Sequence, residues 1–101
     1  MVLSNSSLKL QALRGATTSE RNSAEAIEAS VKELVKELVQ RNKLEADHIV
    51  SITFSVTQDL NACFPASIAR QQKGWENVAL LDCQQMLVTG DLKHCIRILA
   101  H

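Results

Sequence analysis

The chain has 101 residues, 46% apolar and 22% charged, which is the size and composition of one globular domain. Eleven basic residues balance eleven acidic ones, which excludes the broad positive field that binding to a phosphate backbone requires. Any anion must therefore be held by a few placed cations, and a domain this short gains burial by associating with further copies.

Leu8, Leu10 and Ala12 alternate with polar residues, and Arg14 continues their face. The spacing predicts a strand whose inward face ends in a cation, with Gly15 to Thr18 as the loop that follows. Asn22 and Glu25 match a helix-capping pair, with Ser23 as a competing cap. From there to about Asn42, the apolar residues Ile27, Val31, Leu34, Val35, Leu38 and Val39 fall on one stripe of a helix. Glu28–Lys32 and Glu37–Arg41 are favourable pairs on its wet side.

A second strand is predicted over Ile49 to Val56, with Val50, Ile52, Phe54 and Val56 on one face. Thr57 to Cys63 reads as a turn region, because Asp59 and Asn61 favour local side-chain bonding. Pro65 opens a short helix to about Gln71, which Lys73-Gly74 ends. Val78 to Leu81 is a short apolar strand, Thr89-Gly90-Asp91 a turn, and Cys95 to Ala100 a final strand. The order is strand, long helix, strand, short helix, strand, strand. It describes an α+β domain with a mixed β-sheet packed on one long helix. Such a two-layer domain leaves a sheet face or edge open, and subunit contact would cover it.

Cys63, Cys83 and Cys95 are odd in number and form no CxxC or Cys/His pattern. They read as reduced thiols packed as small apolar groups, with no metal site and a cytoplasmic location expected. Met1 to Ser7 has no signal-peptide pattern, and no stretch reaches the length of a membrane span. His48, His94 and His101 share no ligand spacing and read as surface or cap residues. Arg14 and Arg97 stand out, because each sits in an apolar strand pattern and arginine is seldom buried unpaired. Together they suggest an anion site; the alternative is that each pairs with a carboxylate or lies on a sheet edge.

Several segments resemble the AroH-class chorismate mutase family. They are Arg14-Gly15-Ala16-Thr17-Thr18, Phe54-Ser55-Val56-Thr57-Gln58-Asp59-Leu60, Phe64-Pro65-Ala66, Gly74-Trp75, Gln84-Gln85-Met86 and Cys95-Ile96-Arg97. The resemblance runs from about Leu10 to the end and is nearest cyanobacterial members. It implies a barrel-like homotrimer with active sites between neighbouring subunits, no cofactor, and chorismate as the small-molecule substrate rearranged to prephenate. That reaction is a unimolecular pericyclic step in the synthesis of phenylalanine and tyrosine. Its acceleration comes from holding the compact conformer of the dianion and from fixed positive charge at the breaking ether oxygen.

The resemblance assigns Arg97 to the ether oxygen and a substrate carboxylate, and Arg14 to the enolpyruvyl carboxylate. Phe64 and Ala66 match an apolar wall from the adjacent subunit, and Leu80 and Leu81 a cleft-lining strand. Arg70 is either a cation at the cleft mouth or an ordinary exposed helix arginine. The family's typical glutamate, an acceptor for the ring hydroxyl, corresponds to Gln85, and a common cysteine three residues earlier is Asp82. The implied exchange makes Asp82 the relocated acceptor and leaves Gln85 a neutral contact; the alternative is a loop-capping aspartate. Ser67 stands where many members have lysine.

Family members continue past His101 into a strand and tail bearing a tyrosine that contacts substrate, whereas this sequence has no tyrosine. The domain is thus expected to be C-terminally incomplete, with weakened KM and assembly. Three readings follow: a chorismate mutase, a non-catalytic trimeric module for small carboxylates, and an impaired remnant.

Overall fold

The computed structural model describes residues 10–101. Strand β1 (Leu13–Thr18) leads into helix α1 (Ala24–Asn42), a single 3-10 turn (Ala46–His48) and strand β2 (Ile52–Val56). Helix α2 (Pro65–Ala69), strand β3 (Leu80–Gln84) and strand β4 (Cys95–Ala100) complete the described chain. The strands form one sheet in the order β1-β4-β2-β3. β4 pairs antiparallel with both β1 and β2, while β2 and β3 run parallel. The parallel pair requires a crossover, and the segment carrying α2 supplies it.

The sequence pattern explains α1 directly. Ser23 is its N-cap, its hydroxyl accepting the Ala26 N–H at 3.1 Å. Asn22, the other candidate, instead ties the helix entry to a distant loop, accepting the N–H groups of Asn61 and Ala62. The buried stripe is Ile27, Val31, Leu34, Val35 and Leu38. It meets Ile52, Phe54, Ile96, Ile98 and Ala100 on one face of the sheet, and Ile68, Trp75 and Val78 join the same core. Fully burying each large side chain of this kind contributes about 1.5–3 kcal/mol. Lys43, in the left-handed region at φ 50°, closes the helix through its N–H to Val39 O.

Three strand boundaries differ from expectation. β1 begins at Leu13 and includes Gly15 to Thr18, which pair residue by residue with β4 as far as Cys95. Leu10 is 72% exposed and outside the strand; Leu8 lies outside the described residues. Gly15 is a close-approach glycine rather than a strand breaker: a Cβ there would stand 3.2 Å from Leu34 Cδ1. The face assignment inverts as a result. Leu13, Gly15 and Thr17 turn towards α1, and Arg14, Ala16 and Thr18 are exposed on the opposite side.

β2 starts at Ile52 rather than Ile49, because Ile49 closes the preceding 3-10 turn and Val50 is 64% exposed. β3 runs on to Gln84 and starts later than Val78. Val78 is buried in the loop before the strand, and the polar residues Asp82 and Gln84 are tolerated because β3 pairs on one side only. The short helix ends at Ala69, two residues before the expected Gln71.

Candidate functional site

One sheet face is covered by α1 and the other is open. On the open face, Arg14 stands opposite Leu99, Ala16 opposite Arg97, and Arg97 opposite Ser55 on its other side. Alternation along β4 puts Ile96, Ile98 and Ala100 into the core and leaves Arg97 and Leu99 exposed. Leu81, 61% exposed, extends this face on β3, and Leu99 is 41% exposed. Among the described residues neither arginine enters an ion pair. The structural-ion-pair alternative is therefore not realised within the described chain.

Among the described residues the Arg97 side chain has one hydrogen-bond partner. Its Nε donates to Gln85 Oε1 at 3.0 Å. Gln85 follows the end of β3 and is fixed by its own N–H, which donates to Val56 O at 2.7 Å. Thus Arg97, Gln85, Arg14 and Leu81 belong to one wall.

Asp82 lies on the other side of β3, between the outward residues Leu81 and Cys83. Its Oδ1 accepts the Ala66 N–H at 3.0 Å, in the first turn of α2. Burial raises its carboxyl above the ordinary range, partly offset by that N–H. Asp82 thus holds the start of α2 rather than a loop, while Oδ2 has no donor among the described residues. Asp82 also lines a cleft of about 560 Å³ with Phe64, Pro65, Leu60 and Cys63. Phe64 is 71% exposed at the mouth. Burial pushes the Cys63 thiol up as well, helped by the nearby charges of Glu28 and Asp82.

The remaining predicted residues divide. Ala66 and Leu80 are half-buried, each packed against the core. Arg70 is exposed at the C-cap of α2, as the helix-arginine reading had it, and its Nη1 donates to Glu76 O at 2.8 Å and Val78 O at 3.3 Å, holding the loop before β3. Within one chain the structure brings Arg97 and Gln85 together, and Phe64, Ala66 and Asp82 together, on different sides of the sheet.

Two acidic residues organise the loops around β4, and the local bonding expected of Asp59 is one part of it. Asp59 accepts the Thr57 hydroxyl and the His94 N–H, and Thr57 Oγ1 in turn accepts the Cys95 N–H at 3.0 Å. The Thr57 hydroxyl bond, with the His94 N–H and charge, lowers the Asp59 carboxyl against the effect of burial. This knot fixes the start of β4 two residues before Arg97, and His94 takes a left-handed φ of 52° within it. Asp91, read in the sequence only as part of a turn, accepts from Gln85 Nε2 at 2.6 Å. No sequence signal links a turn aspartate to a residue six positions earlier.

The profile of the chorismate mutase type I family matches residues 10–101. The chain is 38% identical over 92 residues to chorismate mutase AroH of Bacillus subtilis, covering 91% of this chain and 72% of the relative. It is 36% identical over 92 residues to chorismate mutase AroH of Thermus thermophilus, covering 90% and 75%. A solved chorismate mutase structure from Clostridium thermocellum superposes with a TM-score of 0.86 at 46% identity, covering 91% of this chain and 81% of that one.

Proposed function

Because the chain belongs to the chorismate mutase type I family, we propose that it rearranges chorismate to prephenate on a surface whose central cation is Arg97. The reaction is that of an isomerase, and no covalent intermediate is needed. The supporting observation is the state of Arg97: a guanidinium oriented through Nε by a neutral amide, with no carboxylate neutralising it among the described residues. Its terminal N–H groups can serve an anion in a fixed fork. In a water-poor site such fixed charge lowers the barrier where the ether oxygen gains electron density. Even the low end of enzymatic acceleration asks for about 8 kcal/mol, to which conformer selection by Arg14 and the apolar wall adds.

The catalytic unit we propose is a homotrimer with three shared sites. The arginine wall reaches β1 at one edge of the sheet, and the Phe64–Asp82 cleft lies by β3 at the other. A contact that joins opposite edges of identical chains is heterologous, and a rotation of a third of a turn per contact closes it into a three-membered ring. Arg97, Arg14 and Gln85 of one chain then face Phe64, Ala66 and Asp82 of the next, and Asp82 Oδ2 accepts the ring hydroxyl. The open face, with Leu81 and Leu99, is the surface such a ring covers. No helix among the described residues is long and apolar enough to cross a membrane, in keeping with a cytoplasmic place of action.

The test follows chorismate absorbance with purified chain, together with its mass in solution. Turnover by a trimer, abolished in Arg97→Ala, is expected. Mixing Arg97→Ala with Phe64→Asp should restore activity, because one junction in a mixed ring has both walls intact. Dianion binding without turnover by the native chain would establish a binding module instead, and failure of complementation in co-assembled rings would remove the shared site.

A further inference from the structure

The polar contacts around Arg97 do not end at Gln85. Gln85 Nε2 donates to Asp91 Oδ2 at 2.6 Å, and the other oxygen of Asp91 accepts the Leu92 N–H at 2.8 Å. Asp91 lies beyond Gly90, whose φ of 85° turns the chain back towards Gln85. Arg97, Gln85 and Asp91 thus form a continuous line from β4, past the end of β3, to the loop between them.

The line has one consistent polarity. Arginine has only N–H donors and an ionised aspartate has only acceptors, whereas a glutamine amide has one end of each kind. With Asp91 holding the amino end, Gln85 must present its carbonyl oxygen to Arg97. If the amide turned over, donor would face donor at Arg97 and oxygen would face oxygen at Asp91. Without Asp91, the amide loses its side-chain acceptor among the described residues, and only the contact with Arg97 still disfavours the reversed orientation.

We propose that Asp91 is a positioning residue for the rearrangement: it locks the Gln85 amide so that Oε1 holds the Arg97 guanidinium in its working orientation. This rests on the reading of Arg97 given above. The arrangement also separates orientation from neutralisation. A carboxylate placed directly on Arg97 would form an ion pair and share the charge that the substrate needs. Here the carboxylate is one residue removed, and a neutral group makes the contact. Such a chain of polarised hydrogen bonds is stronger than its isolated links.

A double-mutant cycle tests it. Asp91→Ala should lower kcat/KM roughly tenfold, mostly through kcat, since small misplacement at a reacting centre costs up to about 10²-fold. Asp91→Asn keeps one carbonyl oxygen for two donors, Gln85 Nε2 and the Leu92 N–H, and should recover only part of that loss. In the Gln85→Ala background Asp91→Ala should have no further effect, because nothing remains for it to orient. An equal loss in both backgrounds would show that Asp91 only shapes its turn, and would overturn the proposal. Independently of turnover, the Arg97 Nε–H resonance in a nitrogen–proton spectrum should move in both Asp91→Ala and Gln85→Ala; no movement in Asp91→Ala overturns the proposal even in an inactive chain. If the native chain fails to convert chorismate while this resonance does move, the functional reading of Arg97 fails and the positioning contact stands.

Discussion

Arg14 and Arg97 project from adjacent antiparallel strands onto the same open face of the sheet, two register positions apart, because Arg14 pairs with Leu99 and Arg97 with Ala16. Diagonal neighbours of this kind are about 7–8 Å apart at the backbone, a span that two long side chains can converge across. The pairing is antiparallel through the whole of β1, so the spacing is held by six consecutive residue pairs rather than by a loop.

The two cations should fail differently. Arg97→Lys keeps the charge but loses the Nε contact to Gln85 and the planar fork, and should cost on the order of 10³-fold in kcat, the upper range for one donor at a developing negative charge. Arg14→Lys, at a carboxylate that is charged before and after the reaction, should act chiefly on KM. Steady-state kinetics on both variants decides it, and matching kcat losses would contradict the division of roles.

Asp59 should make the fold acid-sensitive. Its folded pKa lies below the ordinary 3.8, so its ionised form contributes stability above that value, and this is lost as pH falls through the lowered pKa. Asp59→Ala also removes the acceptor for Thr57 and His94, and should cost about 1–2 kcal/mol at pH 7. Thermal unfolding at fixed chain concentration should show a gap from the native chain at pH 7 that narrows as the pH falls below 3.8 and through the lowered folded pKa.

Asp82 has the opposite sign. Its folded pKa is raised by burial above 3.8, so the stability it contributes belongs to the protonated form and is lost as pH rises from 3.8 through the raised value. Asp82→Asn is neutral at every pH and still offers an oxygen to the Ala66 N–H. It should be at least as stable as the native chain at pH 7, with the difference vanishing in acid, whereas Asp82→Ala should be less stable in both. Turnover should drop further in Asp82→Ala than in Gln85→Ala; equal or reversed losses would reject the hydroxyl-acceptor role.

Gly15 should resist even the smallest side chain. Its added Cβ would meet Leu34 Cδ1 at 3.2 Å and Ile98 Cγ2 at 3.4 Å. Gly15→Ala should therefore destabilise by about 1 kcal/mol, the low end for overpacking. Its cost should shrink in a Leu34→Ala background, where the space is open. Denaturant unfolding of the four chains measures the coupling, and strict additivity would show that the contact is absent.

Family membership, the helix and the final strand were all legible in the residues. Each is carried by a local pattern: a 3.6-residue apolar stripe from Ile27 to Val39, an alternation from Cys95 to Ala100, and short motifs in fixed order. Leu10 and Ala12 misled, because alternation does not say where pairing begins. Only the register with β4 starts β1 at Leu13 and turns Arg14 outward.

The sequence by itself determined which residue types were available, which segments could bury an apolar face, and that few cations could do the work. Tertiary structure alone decided which face Arg14 takes, that Asp82 meets Ala66, and that Asp91 stands behind Gln85. The reason is that periodicity acts over neighbouring residues, whereas a hydrogen bond between loop side chains depends on where two strands end relative to each other. That relative placement is set by the shared core of α1 and the sheet, and no short window of the chain contains it.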